Sequence, residues 1–122
     1  MILADTSIWA DHFRSADSHL VELLGVDEVL MHPFVLAEIS LGNLHNRHKS
    51  IADLLRLPTA KVLQESAALQ AITTLKLHGT GIGFVDVHIL LSVKLNGHLL
   101  WTRDKRLAMQ AARLGVQYHA SQ

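Results

Sequence analysis

An α/β fold, with helix layers packed on a mostly parallel central sheet, is predicted by three features of this 122-residue chain. Short apolar runs alternate with amphipathic helical stretches along its length, the connections between them are brief, and Gly, Pro and Asn-Gly signals punctuate the boundaries. Parallel strands buried on both faces read as continuous apolar runs, and that is how the strand candidates here read.

Ile2 to Ala4 is the first strand, and Thr6 or Ser7 is placed to cap a helix carrying Ile8, Trp9 and Phe13. A second helix is expected from Asp17 or Ser18 through Leu24, with Gly25 as its stop, and Glu28 to Met31 as the second strand. Pro33 suits the first turn of a helix that carries Phe34, Val35, Leu36, Ile39 and Leu41 toward Gly42-Asn43. Ile51, Leu54 and Leu55 give helical spacing to the segment Arg47 to Leu57, which ends before Pro58, and Ala60 to Leu63 is a short extended candidate. A long helix is predicted from Gln64 to His78, ended by Gly79. Gly79 to Gly83 is glycine-rich but lacks the Lys-Ser/Thr of a phosphate-binding P-loop and follows a helix, so it reads as a loop or hinge. Phe84 to Asn96 then forms an apolar helix, His98 to Thr102 a strand, Lys105 to Leu114 a helix, and Val116 to Tyr118 a final strand.

Composition narrows the function classes. One domain over residues 1–122 is expected from the length, and no repeat or low-complexity tract interrupts it. Zero cysteines exclude a disulfide framework and a thiolate metal site, which agrees with a reducing cytoplasm. The N-terminus lacks the basic and apolar regions of a signal peptide, and no run has the length of a membrane span, so a cytoplasmic, non-membrane protein is expected. Eleven basic residues balance eleven acidic ones. No global cationic field supports sequence-blind nucleic-acid binding, and any such contact must be local.

Four acids carry the chemistry. Asp5 and Asp104 follow the first and later apolar strands, Glu38 lies mid-helix, and Asp86 lies in a helix's first turn. Singly, each has a local role: Asp86 complements the helix dipole, Asp104 caps a helix, Glu38 is a solvated helix residue, and Asp5 serves a turn or cap. Jointly they are expected to meet outside the carboxyl ends of the strands, where α/β sheets gather function. An oxygen-only set of this size suits Mg²⁺ or Mn²⁺, and an anionic pocket accepts a polyanion only with the cation present. Arg103, Lys105 and Arg106 flank Asp104 as candidate phosphate contacts. The nine histidines, including the His45/His48 pair, read as surface or packing residues because no third ligand follows them at zinc spacing. Trp9 and Trp101 read as core.

Asp5-Thr6-Ser7, Glu38, the stretch from Gly81 to His88 around Asp86, and Leu100 to Leu107 around Asp104 together resemble the PIN-domain ribonucleases, specifically the VapC-type toxins of type II toxin–antitoxin pairs. The resemblance covers essentially the whole chain. It implies a three-layer α/β/α PIN-like fold and an Mg²⁺- or Mn²⁺-dependent endoribonuclease that hydrolyses RNA phosphodiesters through the held ion and its bound water. It also implies a cognate VapB-type antitoxin and a homodimer. Asp5, Glu38, Asp86 and Asp104 take the catalytic and metal-binding roles, with Thr6 and Thr102 as supporting hydroxyls. Some members carry another acid two residues beyond the fourth, where this chain has Arg106, so the pocket is expected to favour a single metal. His88 stands where members often have a small or apolar residue, and it is expected to project off the Asp86 face.

Two non-enzymatic readings compete. A receiver-like signalling module would need a phospho-acceptor at a strand end, but Asp53 lies in a helical pattern. An inactive PIN-like binding module would lack some of the four acids, and all four are present. The helices Asp17 to Leu24 and Arg47 to Leu57 carry enough apolar residues to leave a groove for an antitoxin segment, whose arginine would compete with metal in the acid pocket.

Overall fold

Three parallel strands form the centre of the computed structural model, which describes residues 1–120. They are β1 (Ile2–Ala4), β2 (Val29–Leu30) and β3 (Leu99–Trp101), in the order β2-β1-β3. Ile2 pairs with Val29 on one side and Leu99 on the other, so β1 is central. The chain leaves β1 in one direction to reach β2 and returns past it to reach β3. The strand order therefore reverses at β1, and the crevice beyond its carboxyl end, where Asp5 sits, is the topological switch point.

Among the described residues seven helices surround the sheet: α1 (Thr6–Arg14), α2 (Ser18–Gly25), α3 (Pro33–Ser40), α4 (Arg47–Leu54), α5 (Glu65–Thr74), α6 (Phe84–Asn96) and α7 (Lys105–Arg113). Every residue of α6 from Val87 to Val93 is buried, which makes it the core helix, as its all-round apolar sequence requires. It packs against β3, α3, α5 and α7. Leu3, Ile8, Leu20, Leu90, Leu100 and Leu107 are fully buried around the sheet, and Trp9 and Trp101 join them. Among the described residues no helix is long and apolar enough to cross a membrane.

The sheet edges are shorter than the sequence predicts. Met31 pairs beyond β2 only as an isolated bridge to Thr59, just before the extended piece predicted at Ala60 to Leu63. The predicted strand Val116 to Tyr118 is reduced to a bridge between Leu100 and Gln117, held by Leu100 N–H to Val116 O at 2.7 Å and Tyr118 N–H to Leu100 O at 2.8 Å. The helix starts and stops also differ in detail. Asp5, rather than Thr6 or Ser7, is the N-cap of α1, because its carboxylate accepts from both Ser7 N–H and Ile8 N–H. Gly25 is the last residue of α2, and Asp27 takes the left-handed conformation that closes it. Helix α5 ends at Thr74, not His78: Lys76 adopts φ +54°, and Leu77 N–H returns to Ile72 O at 2.9 Å. This closing pattern turns Leu77 back into the core.

Candidate metal centre

Adjacent parallel strands bring two of the acids together. Asp5 follows β1 and Asp104 follows β3, and the two strand ends are joined by Asp5 N–H to Trp101 O at 3.0 Å. Thr102 stands between the acids. Its hydroxyl donates to Asp5 Oδ2 at 2.5 Å and accepts Asp104 N–H at 3.0 Å. Asp104 also caps α7 by accepting Leu107 N–H at 3.0 Å, so its cap role and its place in the cluster coexist. Packing of α3 against α1 delivers Glu38, whose Oε1 accepts from the Thr6 hydroxyl at 2.7 Å. Thr6 and Thr102 thus each hold one acid. Ser7 is a third such hydroxyl, donating to Asp5 Oδ1 at 2.5 Å. In the sequence it read only as a cap.

Asp86 lies in the first turn of α6. Its carboxyl is held above the usual carboxylate range, first by burial and then, against a backbone hydrogen bond at Gly83, by the charges of Asp104, Asp5 and Glu38. Burial likewise raises Asp5, with the Ser7 and Thr102 hydroxyls and the Ile8 and Ser7 amides pulling the other way. Among the described residues, no three Asp, Glu or His side chains form a ready-made ligand cage. Asp5, Glu38 and Asp104 instead each accept a hydrogen bond from a neighbouring donor. A hard dication that takes several carboxylates while keeping waters fits this set, since it relieves the repulsion that Asp86 registers.

The three cations near Asp104 have different fates. Arg103 was expected to contact phosphate, but its guanidinium is committed: one arm donates to Asp11 Oδ2 at 2.7 Å and the other to Asp17 Oδ2 at 2.8 Å. It lies over the Trp101 ring, and its backbone N–H donates to Ser7 Oγ at 3.0 Å. Arg103 is therefore a clasp that ties the β3–α7 loop to α1 and to the cap of α2. If so, Arg103→Ala should leave the salt dependence of RNA affinity unchanged, whereas loss of a true phosphate contact lowers the slope by about one. Lys105 is exposed. Arg106 crosses the glycine loop, where a Cβ on Gly81 would lie 3.0 Å from Arg106 Cδ. Gly81 also has φ +84°, so Gly81→Ala is expected to cost about 1–2 kcal/mol in chemical denaturation. The loop gives Arg106 passage.

His88, expected to project off the Asp86 face, is a packing residue. It is buried with its ring edge-on to Phe84 at 4.5 Å and Phe34 at 4.9 Å, and His32 is buried close enough to feel its charge. Neither His32 Nε2 nor His88 Nδ1 has a hydrogen-bond partner among the described residues. The sequence gives no sign of this pairing, because His32 and His88 are distant in the chain. His45 and His48 are exposed, as expected of surface histidines.

An acid-lined switch point on a three-stranded parallel sheet, with a buried helix carrying the third acid, places this molecule among PIN domains, and the chain belongs to that family, whose profile matches residues 2–112. It is similar to the protein named Ribonuclease VapC32 from Mycobacterium tuberculosis, with 44% identity over 117 residues that span 95% of this chain and 94% of that one. In fold it resembles the crystal structure of FitAcB from Neisseria gonorrhoeae, with a TM-score of 0.64, 22% identity, and 92% and 94% of the two chains covered. PAE2754 from Pyrobaculum aerophilum aligns with a TM-score of 0.62 and 15% identity over 95% of this chain and 90% of that one. The family expectation carried by Asp5, Glu38, Asp86 and Asp104 is confirmed at the level of family and fold.

Proposed function

We propose that the chain is an endoribonuclease, the toxin of a type II toxin–antitoxin pair, and hydrolyses RNA phosphodiesters with Mg²⁺ or Mn²⁺ held by Asp5, Asp86 and Asp104. The observation that supports this reading best is that Asp5 and Asp104, at the ends of the paired strands β1 and β3, are joined through the Thr102 hydroxyl, with Glu38 held beside them by Thr6. Its substrate class follows from the similarity to a protein named as a ribonuclease. When bound, the ion supplies Lewis-acid polarisation of the phosphodiester and activation of water. The chain's own residues do the positioning. Ser7 and Thr102 orient the two oxygens of Asp5, and Thr102 at the same time fixes the backbone of Asp104. Thr6 holds Glu38 at the rim, where it completes the pocket by binding metal or orienting water. Lys105 and Arg106 are the cations left for RNA phosphates once Arg103 is committed to Asp11 and Asp17.

A cleavage assay on structured RNAs tests the reading. Wild type is expected to cut with Mn²⁺ and to stop on adding EDTA, and Asp86→Asn is expected to be inactive. Equal cleavage by both proteins, with or without EDTA, would contradict it.

The partner we infer is a VapB-type antitoxin whose apolar segment enters a groove of about 220 Å³ lined by Trp9, Phe13, Leu24, Leu54 and Leu57, between α1, α2 and α4. These are the helices whose apolar residues exceeded what the sheet covers: Val21 and Leu55 stay exposed. A homodimer and a cytoplasmic location complete the proposal. The first is read by light scattering of the purified chain, and the second by fractionation.

A further inference from the structure

A second groove borders the acid site. It has a volume of about 360 Å³ and runs between α1 and the end of α3. Its inner end is formed by Thr6 and Glu38, which already belong to the acid cluster. Phe13 and Ile39 line its length, and Asn43 lies in the loop that follows α3. Building on the RNA-hydrolase reading, we propose that this groove is a nucleobase subsite, which takes one unstacked base of single-stranded RNA beside the phosphodiester held at the acids.

Several observations favour a base over other occupants. The groove is continuous with the acids, so an RNA strand that places a phosphate there has a flanking nucleotide at its mouth. Phe13 is 39% exposed, yet its ring is held by stacking on Trp9, with centroids 5.9 Å apart and an interplanar angle of 28°. A fixed, exposed aromatic ring is the platform on which single-stranded bases stack. Asn43 supplies both an amide donor and a carbonyl acceptor for a base edge. Glu38 at the inner end disfavours a second phosphate and tolerates a neutral base. The volume is ample for one planar group. Arg14, which also lines the groove, pairs with Asp11.

Amide NMR of the full chain with Mg²⁺ tests the subsite, using nucleoside 5′-monophosphates as probes and ribose 5-phosphate as the base-less control. The nucleotides are expected to shift the amides of Phe13, Gly42, Asn43 and Leu44, and ribose 5-phosphate to shift only those near Asp5, Asp86 and Asp104. Phe13→Ala should weaken nucleotide binding about tenfold and leave ribose 5-phosphate binding unchanged. Asn43→Ala, at an exposed position, should alter the preference among the four bases. Identical shifts from nucleotides and ribose 5-phosphate, confined to the acids, would overturn the subsite while leaving the hydrolase reading standing. Shifts at residues 42–44 from N-acetylarginine amide but not from nucleotides would make the groove a protein-docking pocket and overturn it too. If Mg²⁺ moves no amide near Asp5 or Asp86, the hydrolase reading fails and the subsite with it.

Discussion

Asp5→Asn is expected to lower RNA cleavage by at least about 10²-fold, the scale set by removing one preorganised electrostatic group from an active site. The substitution isolates charge from structure. Asparagine keeps the N-cap that Asp5 gives α1, since a carbonyl oxygen accepts from Ser7 N–H and Ile8 N–H as the carboxylate does. The Thr102 hydroxyl, which now donates to Asp5, can instead accept from the new amide. The fold should therefore survive. Because burial and its acidic neighbours make charge costly here, the variant without metal should melt no lower than wild type. Saturating Mn²⁺ should raise the melting temperature of wild type, by the mass-action effect of a ligand that binds only the folded state, and should do so far less in Asp5→Asn. Activity and thermal shift together separate a lost ligand from a damaged fold.

Acidification from pH 7 toward 4 is expected to remove about 3 kcal/mol of stability through His32 alone. Its pKa is lowered to about 4, by burial first and then by the nearby His88. The sign follows from proton uptake. An unfolded histidine titrates near 6.5, so below that pH the unfolded chain binds a proton that folded His32 refuses until about pH 4. Stability is fully present above about pH 6.5 and declines by about 1.4 kcal/mol per pH unit through the window. Geometry supports the direction. His32 Nδ1 accepts Phe34 N–H at 3.0 Å and caps α3, the helix that carries Glu38. Protonation would turn that acceptor into a donor facing a donor. Asp5 and Asp86 act in the opposite sense, since their raised carboxyls relieve a folded-state penalty as they protonate. The contribution of His32 is therefore read as a difference: urea unfolding at pH 7.5 and 4.5, for wild type and His32→Asn, which retains a capping oxygen. Equal losses in the two proteins would contradict it.

How much of this was legible in the sequence depended on whether a feature is local. Strand β1, the bounds of α6 and the stop of α6 at Gly97 follow from apolar runs and a glycine in the left-handed conformation. The ends of α2 and α5 did not, because Asp27 and Lys76 do the work usually signalled by glycine. The edge strands shrank to single bridges because their pairing depends on where the Pro58 and Gly115 turns leave the chain. The candidate acids were readable because strand ends and a first helical turn place them. The groups that hold them were only half readable. Thr6 and Thr102 came from the family resemblance, but Ser7 looked like a cap. Arg103 looked like a phosphate ligand until the fold brought Asp11 and Asp17 to its two arms. That assignment needed contacts between residues separated by most of the chain.

A crystal structure of the protein soaked with Mn²⁺, read by anomalous scattering, tests the proposed pocket most directly. The expected result is a peak at the carboxyl end of β1, bound by Asp5 and Asp86, with Asp104 reaching it directly or through water and Glu38 at its rim. A peak at the His45/His48 pair instead, or none at the four acids under saturating Mn²⁺, would contradict it.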